Sequence, residues 1–383
     1  MSDHSTTAFA TPGLRALAER LVAFESQTHD QIFTVPAEHY LNPDRLSAER
    51  EAVFHRLPVP LMPSAYLKPG ESVTHDHYGL PLVVTRDKQG EAHVLINVCQ
   101  HRGTRLVESD ERQVHSRLVC PYHAWTYRLD GRLQGLPQPD TFPGLNKAKY
   151  SLRSLPVRES GGLIWTRLNE APFEDSVLGS LVDDFEALGM TRGEVFEKRS
   201  YTVAANWKLL MDAFSESYHV QRLHKNTIAP FFADSVAVGD RVGLHFRSAV
   251  ARKHFRDIVP DQPLDAMRVN VTFSFNLMPA TVIVASPDYL NVMFIHPISI
   301  EESTVIDYMI VPSLPDSPDE LEHWRESFDL IDGGVFYSED FRAAQLGQRG
   351  LSSGTIDKVT LGSAEHQVYE FHQTIQQLID RSA

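Results

Sequence analysis

The sequence predicts an α+β protein, and three patterns carry that expectation. Short β-like runs broken by turn residues fill Pro58 to Asn169. Longer strand-like runs return between Val242 and Pro312. Segments with helical spacing lie near the start of the chain, between the two β regions, and at its end.

Taken in order, the residues through about Pro12 read as disordered. Leu14 to Phe24 has helical spacing, with Leu14, Leu17, Leu21 and Val22 on one side, and Arg50 to His55 ends another short helix. The first β region holds LPLVVTRD (80–87), AHVLINV (92–98), RLVC (117–120) and GGLIWTRL (161–168). Turns fall at Lys68-Pro69-Gly70, Gln89-Gly90, Asp130-Gly131 and Gly161-Gly162. Helices are expected over 177–188 and 205–223. Strands follow at 242–250, 268–278, 281–286, 291–300 and 304–312, then helices at 318–332, 335–348 and 364–379. Pro and charged residues cluster near 169–176. The expected division is an N-terminal helical segment (1–50), a small antiparallel β domain (51–170) and a larger domain (171–383).

Bulk properties narrow the function. The chain has 383 residues, 42% of them hydrophobic and 22% charged, an ordinary globular balance. A formal net charge of −14 leaves no basic surplus to neutralise phosphates, so a nucleic-acid partner is not expected. Two cysteines do not make a disulfide scaffold and suit a reducing compartment. Residues 1–13 lack a basic start followed by an apolar stretch, and no apolar run is long enough for a bilayer. The expectation is a soluble cytoplasmic protein without a membrane partner.

The chemistry concentrates in two stretches. The first contains Cys99-x-His101, then eighteen residues, then Cys120-x-x-His123. Two thiolates and two imidazoles suit structural zinc or an iron–sulfur cluster. Zinc pairs more often repeat one residue type, whereas here each loop offers one of each. That matches a cluster in which one iron takes both thiolates and the other both histidines. His115 between the pairs reads as an exposed loop residue. His75 and His77 read as part of a solvated turn or edge strand, and Trp125 and Tyr127 as loop packing.

The second stretch, NWKLLMDAFSESYHVQRLH (206–224), offers His219 and His224, with Asp340 as a distant carboxylate. Two histidines and a carboxylate on one face of an iron leave positions open for dioxygen and substrate. Residues five apart lie about 140° apart around an ideal helix. The two histidines therefore require either a helix end between them or a π-type distortion. Asp340 is preferred over its rival Glu339.

With these residues in view, the chain resembles the Rieske non-haem iron aromatic-ring-hydroxylating oxygenases, specifically their alpha (terminal oxygenase) subunit. Arg102-Gly103, His123-x-Trp125-x-Tyr127 and Gly131 flank the first motif as in that family. Asn206-Trp207-Lys208, Glu216-x-Tyr218-His219 and the segment from Asp340 to Gln348-Arg349-Gly350-Leu351 match the second. The resemblance implies a Rieske [2Fe–2S] antiparallel β domain followed by a catalytic domain whose antiparallel sheet is surrounded by helices. It implies a [2Fe–2S] cluster at Cys99, His101, Cys120 and His123, and a mononuclear Fe(II) at His219, His224 and Asp340. It also implies use of O2 on a small organic substrate, and a homotrimer. Electrons would come from NAD(P)H indirectly, through a flavin reductase or a ferredoxin, since the chain has no GxGxxG fingerprint.

In the family a carboxylate three residues before the first histidine bridges the iron site to a neighbouring subunit's cluster. It is usually Asp; here it is Glu216, a residue that also resembles members acting on quaternary ammonium compounds. The expected activity is hydroxylation of an aromatic or other small molecule. The alternatives are a monooxygenase that demethylates a quaternary ammonium or methyl ether, and a Rieske electron carrier without oxygenase activity. Asp212 is a further candidate for influencing the iron site. Met211, Phe214, Phe273, Phe275, Phe294 and Phe336 are candidates for an apolar pocket.

Overall fold

A computed structural model of the chain describes residues 8–24, 32–173 and 176–382. It divides into two compact units, Pro58–Val177 on the one hand and Met1–Leu57 with Leu178–Ala383 on the other. The N-terminal helical segment expected at 1–50 groups with the larger unit, and the smaller unit begins at 58 where 51 was expected.

The smaller unit consists of three antiparallel sheets. The largest runs Ser154–Leu155, Ala92–Ile96, Leu82–Arg86, Glu71–His75, Gln113–Val114. Leu82–Arg86 is buried along its whole length because it has neighbours on both edges and core on both faces. Val157–Ser160, Leu163–Thr166 and Val59–Pro63 form a second sheet. Leu118–Val119, Thr126–Tyr127 and Leu133–Gly135 form the third. Val83, Leu95, Leu118, Trp125, Tyr127 and Leu133 pack into one core with Cys99 and Cys120. Gly131 turns the chain at φ +85°, and a Cβ there would come within 2.9 Å of Leu95 Cδ2, so both backbone and space require glycine. His75 departs from expectation. It is buried in an interior strand and stacks on Tyr78 with ring centroids 5.3 Å apart.

The larger unit opens with helix α1 (Pro12–Val22), capped by the Thr11 hydroxyl and started by proline. Its Leu14, Leu17, Ala18 and Leu21 are buried. Residues 8–11 are not free: Phe9 bridges Pro263, and Ala8 O accepts the Leu264 N–H. The rest of the expected disorder lies outside the described residues. Helix α2 (Pro43–Glu49), capped by Asn42, runs into a π-helical turn at Arg50–His55.

A seven-stranded antiparallel sheet follows: β1 (Glu194–Val203), β2 (Phe232–Val242), β3 (His245–Arg252), β4 (Val271–Leu277), β5 (Thr281–Ala285), β6 (Leu290–Pro297) and β7 (Ser303–Val311). Its spatial order is β1-β7-β6-β5-β4-β3-β2. The helices beside it are α3 (Trp207–Ala213), α4 (Val220–Leu223), α5 (Pro318–Phe328), α6 (Arg342–Ser352) and α7 (His366–Asp380). The expected break at Gly333–Gly334 is absent. Instead Asp329–Phe341 is a π-helix that joins α5 to α6 in one run.

The N-terminal segment belongs to this unit for a clear reason. Glu49, fully buried, accepts from Lys208 Nζ at 2.7 Å, Trp207 Nε1 at 3.0 Å and Arg45 Nε at 3.0 Å. Three donors neutralise a carboxylate that would otherwise be costly to bury, and they tie α2 to α3. No helix among the described residues is long and apolar enough to cross a membrane.

Candidate metal centres and substrate cavity

In the smaller unit, Cys99–His101 and Cys120–His123 sit on two loops built alike. The Cys99 N–H donates to Thr104 O and the Gly103 N–H to Cys99 O, at 2.8 and 2.9 Å. The Cys120 N–H donates to Trp125 O and the Ala124 N–H to Cys120 O, at the same two distances. Both loops pass through the left-handed region at the equivalent residue, Gly103 at φ +76° and Ala124 at φ +55°. The loops present both cysteines as buried thiols and bring the His101 and His123 rings to a centroid separation of 4.6 Å. Trp125 stacks flat on His101, and the Tyr127 hydroxyl lies 3.3 Å from Cys99 Sγ while accepting from the Gln100 N–H. Both aromatics thus pack the loops, as their pattern suggests.

Two observations bear on which group these loops hold. Nδ1 of His101 and of His123 are buried atoms without a hydrogen-bond partner, as expected of nitrogens reserved for a metal. The two thiols lie beside each other and the two imidazole rings face each other, a grouping by residue type that fits a cluster with one iron on the thiolates and the other on the histidines.

In the larger unit, His219, His224 and Asp340 do converge, with donor atoms all within 4.8 Å of one another. Asp340 Oδ1 lies 3.6 Å from His219 Nε2 and 3.3 Å from His224 Nε2. It too is a buried atom without a properly formed hydrogen bond. The helix problem posed by the five-residue spacing is solved at its ends. α4 is a single turn, with His219 as its N-terminal and His224 as its C-terminal flanking residue. The π-distortion lies in the segment that delivers Asp340.

The outer nitrogens of both histidines are held. His219 Nδ1 bonds Glu216, whose carboxylate also accepts the backbone N–H groups of Tyr218 and His219. His224 Nδ1 lies 2.7 Å from Glu339, which Thr227 also supports at 2.7 Å. Glu339, the rival of Asp340, thus bonds the outer nitrogen of His224 while Asp340 converges with the two rings. Burial opposes charge on both rings. Glu216 and Asp340 overcome it at His219, and Asp340 and Glu339 at His224, so both pKa values rise. The site is a negative pocket suited to a cation.

Asp212 is placed elsewhere. Its carboxylate accepts from Tyr40 Oη at 2.7 Å and lies 3.1 Å from His372 Nε2, so it braces α3 against α7 rather than the ligands. Burial first, then Asp212's charge, raise the Tyr40 pKa and keep its hydroxyl a donor.

A cavity of about 830 Å³ opens on His219, His224 and Asp340. Phe214 and Phe336 line it as expected. Met211, Phe273, Phe275 and Phe294 do not, being wholly buried core. The strand period explains the miss. Thr272 and Ser274 of β4 face the cavity, so Phe273 and Phe275 point to the other side of the sheet. Ser248 and Val250 of β3, Arg252, and Phe231 were not foreseen, because small and polar residues beside a sheet carry no pocket signature of their own.

Comparison with known proteins agrees with this geometry. Residues 58–156 match the Rieske [2Fe-2S] domain and residues 190–381 the ring hydroxylating alpha subunit (catalytic domain). The chain is 28% identical over 367 residues to the carnitine monooxygenase oxygenase subunit of Acinetobacter baumannii, covering 91% of this chain and 95% of that protein. It is 29% identical over 242 residues to the glycine betaine monooxygenase oxygenase subunit of Pseudomonas aeruginosa, a match covering 63% of this chain but only 55% of that protein. Among solved structures, a quaternary ammonium Rieske monooxygenase superposes with TM-score 0.78 at 19% identity, over 97% of this chain and 99% of that one. Naphthalene 1,2-dioxygenase from Rhodococcus sp. superposes with TM-score 0.77 at 20% identity, over 96% and 98%. At such identities the structures establish the fold alone. With two matched domains in the order expected of a Rieske non-haem iron oxygenase, the chain belongs to the ring-hydroxylating alpha-subunit family.

Proposed function

We propose that this chain is the terminal oxygenase of a multicomponent Rieske system, with its mononuclear iron held by His219, His224 and Asp340. The observation that carries the reading is the convergence of those three side chains at the wall of an 830 Å³ cavity. An electron carrier needs neither the second ligand set nor the cavity. Cys99, His101, Cys120 and His123 hold the [2Fe–2S] cluster. When bound, the cluster supplies single electrons and the iron supplies dioxygen activation.

The chain's own residues orient and insulate. Glu216 and Glu339 fix the ring positions of His219 and His224. Phe214, Phe336 and Val335 place the organic substrate beside the ligands and displace water. In a homotrimer Glu216, bonded to the outer nitrogen of His219, would link the iron ligands to the cluster ligands of a neighbouring subunit, and the bound cluster would supply the electrons. A solved relative is a quaternary ammonium Rieske monooxygenase with inter-subunit electron transfer, and that supports the reading. A flavin reductase or ferredoxin, driven by NAD(P)H, supplies the electrons.

Oxidative demethylation of a quaternary ammonium substrate is the second reading. Its support is specific: relatives of this chain are carnitine and glycine betaine monooxygenase subunits. Ring hydroxylation has the matched catalytic family behind it.

Metal and acid-labile sulfide analysis of anaerobically purified protein tests the main proposal, with EPR after dithionite reduction and oxygen uptake in the presence of a reductase. The expected result is about three irons and two sulfides per chain with a Rieske-type signal. Zinc without sulfide would overturn it, as would full iron loading with no substrate-dependent oxygen uptake.

A further inference from the structure

Three arginines line the cavity, and they are not equivalent. Arg20 donates to Gly239 O at 3.0 Å, and Arg241 Nε donates to Gly243 O at 2.8 Å. Among the described residues Arg252 makes no side-chain hydrogen bond and no ion pair. Its guanidinium rests instead against Phe231 and Phe232, at 5.8 and 5.1 Å from the ring centroids. Contact with ring faces steadies a cation while leaving its five N–H donors free.

Among the described residues no carboxylate is hydrogen-bonded to the Arg252 guanidinium. Asp288 acts on it through space, and one of its oxygens is bonded to His323 at 2.8 Å. Tyr289, which also lines the cavity, is a neutral phenol whose pKa burial pushes up to about 12. Asp240 of the cavity wall is taken by Arg247 at 2.8 Å, Glu216 is bonded to His219 Nδ1, and Asp340 converges with the two histidines; Glu370 also lines the cavity and forms no ion pair with Arg252. An arginine drawn into a cavity with no anion bonded to its guanidinium is a costly arrangement.

A second observation lies beside it. Thr272 is 6% exposed, lines the same cavity, and its hydroxyl has no hydrogen-bond partner. Thr272 pairs with Val250 across β3 and β4, and Val250 is two residues from Arg252 on the same strand face. The two unused groups are therefore close neighbours on one face of the sheet. Their position relative to the histidines is also fixed. Phe232 is the strand partner of Arg252, and its carbonyl accepts from Gln221 of α4 at 2.9 Å, inside the single turn between His219 and His224.

We infer that Arg252, assisted by Thr272, anchors a carboxylate on the substrate, leaving the opposite end of the molecule at the iron ligands. The planar guanidinium fork matches a carboxylate in bidentate fashion, and the threonine hydroxyl donates one further bond. The substrate class is then an organic acid with its oxidised carbon away from the acid group. This rests on the oxygenase reading and narrows it.

The test uses the full chain loaded with cluster and iron, under anaerobic calorimetry. The probes are two matched pairs, glycine betaine with choline and benzoate with benzyl alcohol. In the wild type the acid of at least one pair should bind at least tenfold more tightly than its alcohol. Arg252→Gln should weaken the acid by about 10- to 100-fold and shift the alcohol less than twofold, with Arg252→Lys recovering part of the loss. Acids binding no better than alcohols in the wild type, or an unchanged acid affinity in Arg252→Gln, would overturn the anchor. Oxygen uptake with the same probes separates the two claims. Tight, Arg252-dependent acid binding without uptake refutes the oxygenase and leaves the anchor standing.

Discussion

Glu339 and Asp340 are neighbours in sequence with the same chemistry, yet one steadies a histidine from behind and the other faces the cavity. Their variants should separate. Asp340→Asn removes an anionic ligand, so the mononuclear iron should be lost while the cluster spectrum persists, and iron per chain should fall from about three to about two. Glu339→Gln keeps all three ligands and should weaken iron binding by about 10- to 100-fold, read by competition with a chelator. At this scale the sequence pointed to the side chains that the fold brings together, because thiolates, imidazoles and carboxylates have few reasons to recur at such spacings. Arg252 and Thr272 were not, because an arginine ending a strand reads as surface until the cavity beneath it is seen. The aromatic candidates failed through parity: one register step decides whether Phe273 or Thr272 faces the site.

At the scale of elements, the strands read correctly are the interior ones. β1 and β2 went unread. Both are edge strands, half-exposed along most of their length, so neither a continuous apolar run nor a clean alternation marks them. The helical run from α5 to α6 was read as two helices, because Gly333-Gly334 signals a break that the π-helical winding absorbs. That winding begins beside a buried acid pair. Asp332 bonds Tyr201 and Arg199, and Asp307 of β7 accepts from Asn291 at 2.7 Å. Burial first, then the charge of Asp332, push the Asp307 carboxyl well up, and burial raises Asp332 as well. A folded-state pKa above the unfolded one means the folded pair holds an extra proton. Its contribution is complete at low pH and is lost as pH rises from the ordinary carboxylate range, about 4, through the raised values. Asp307→Asn supplies the donor permanently. Its melting temperature should therefore fall less than the wild type's between about pH 5 and pH 8, as circular dichroism would show.

For the whole molecule, the two-domain plan was readable from the alternation of β-rich and helical stretches. The allegiance of the N-terminus was not, because it rests on long-range contacts such as Glu49 with Lys208 and Tyr40 with Asp212, which no local pattern marks. Glu49→Ala would leave Lys208 buried without its partner and should cost about 3–5 kcal/mol in denaturant unfolding of the larger unit. Cys120→Ser should abolish the cluster signal but leave one iron at the larger unit, since the proposed iron ligands His219, His224 and Asp340 all lie outside Pro58–Val177.

The matching backbones of the two cluster loops have a further consequence. Each is closed by its own main-chain bonds, so its shape is inherited from the peptide rather than imposed by the metal. The loops would act as a pair of stiff jaws around a bound cluster, and few of their atoms would need to move if its charge changed. A small nuclear rearrangement of that kind lets an electron hop quickly even when the driving voltage is slight.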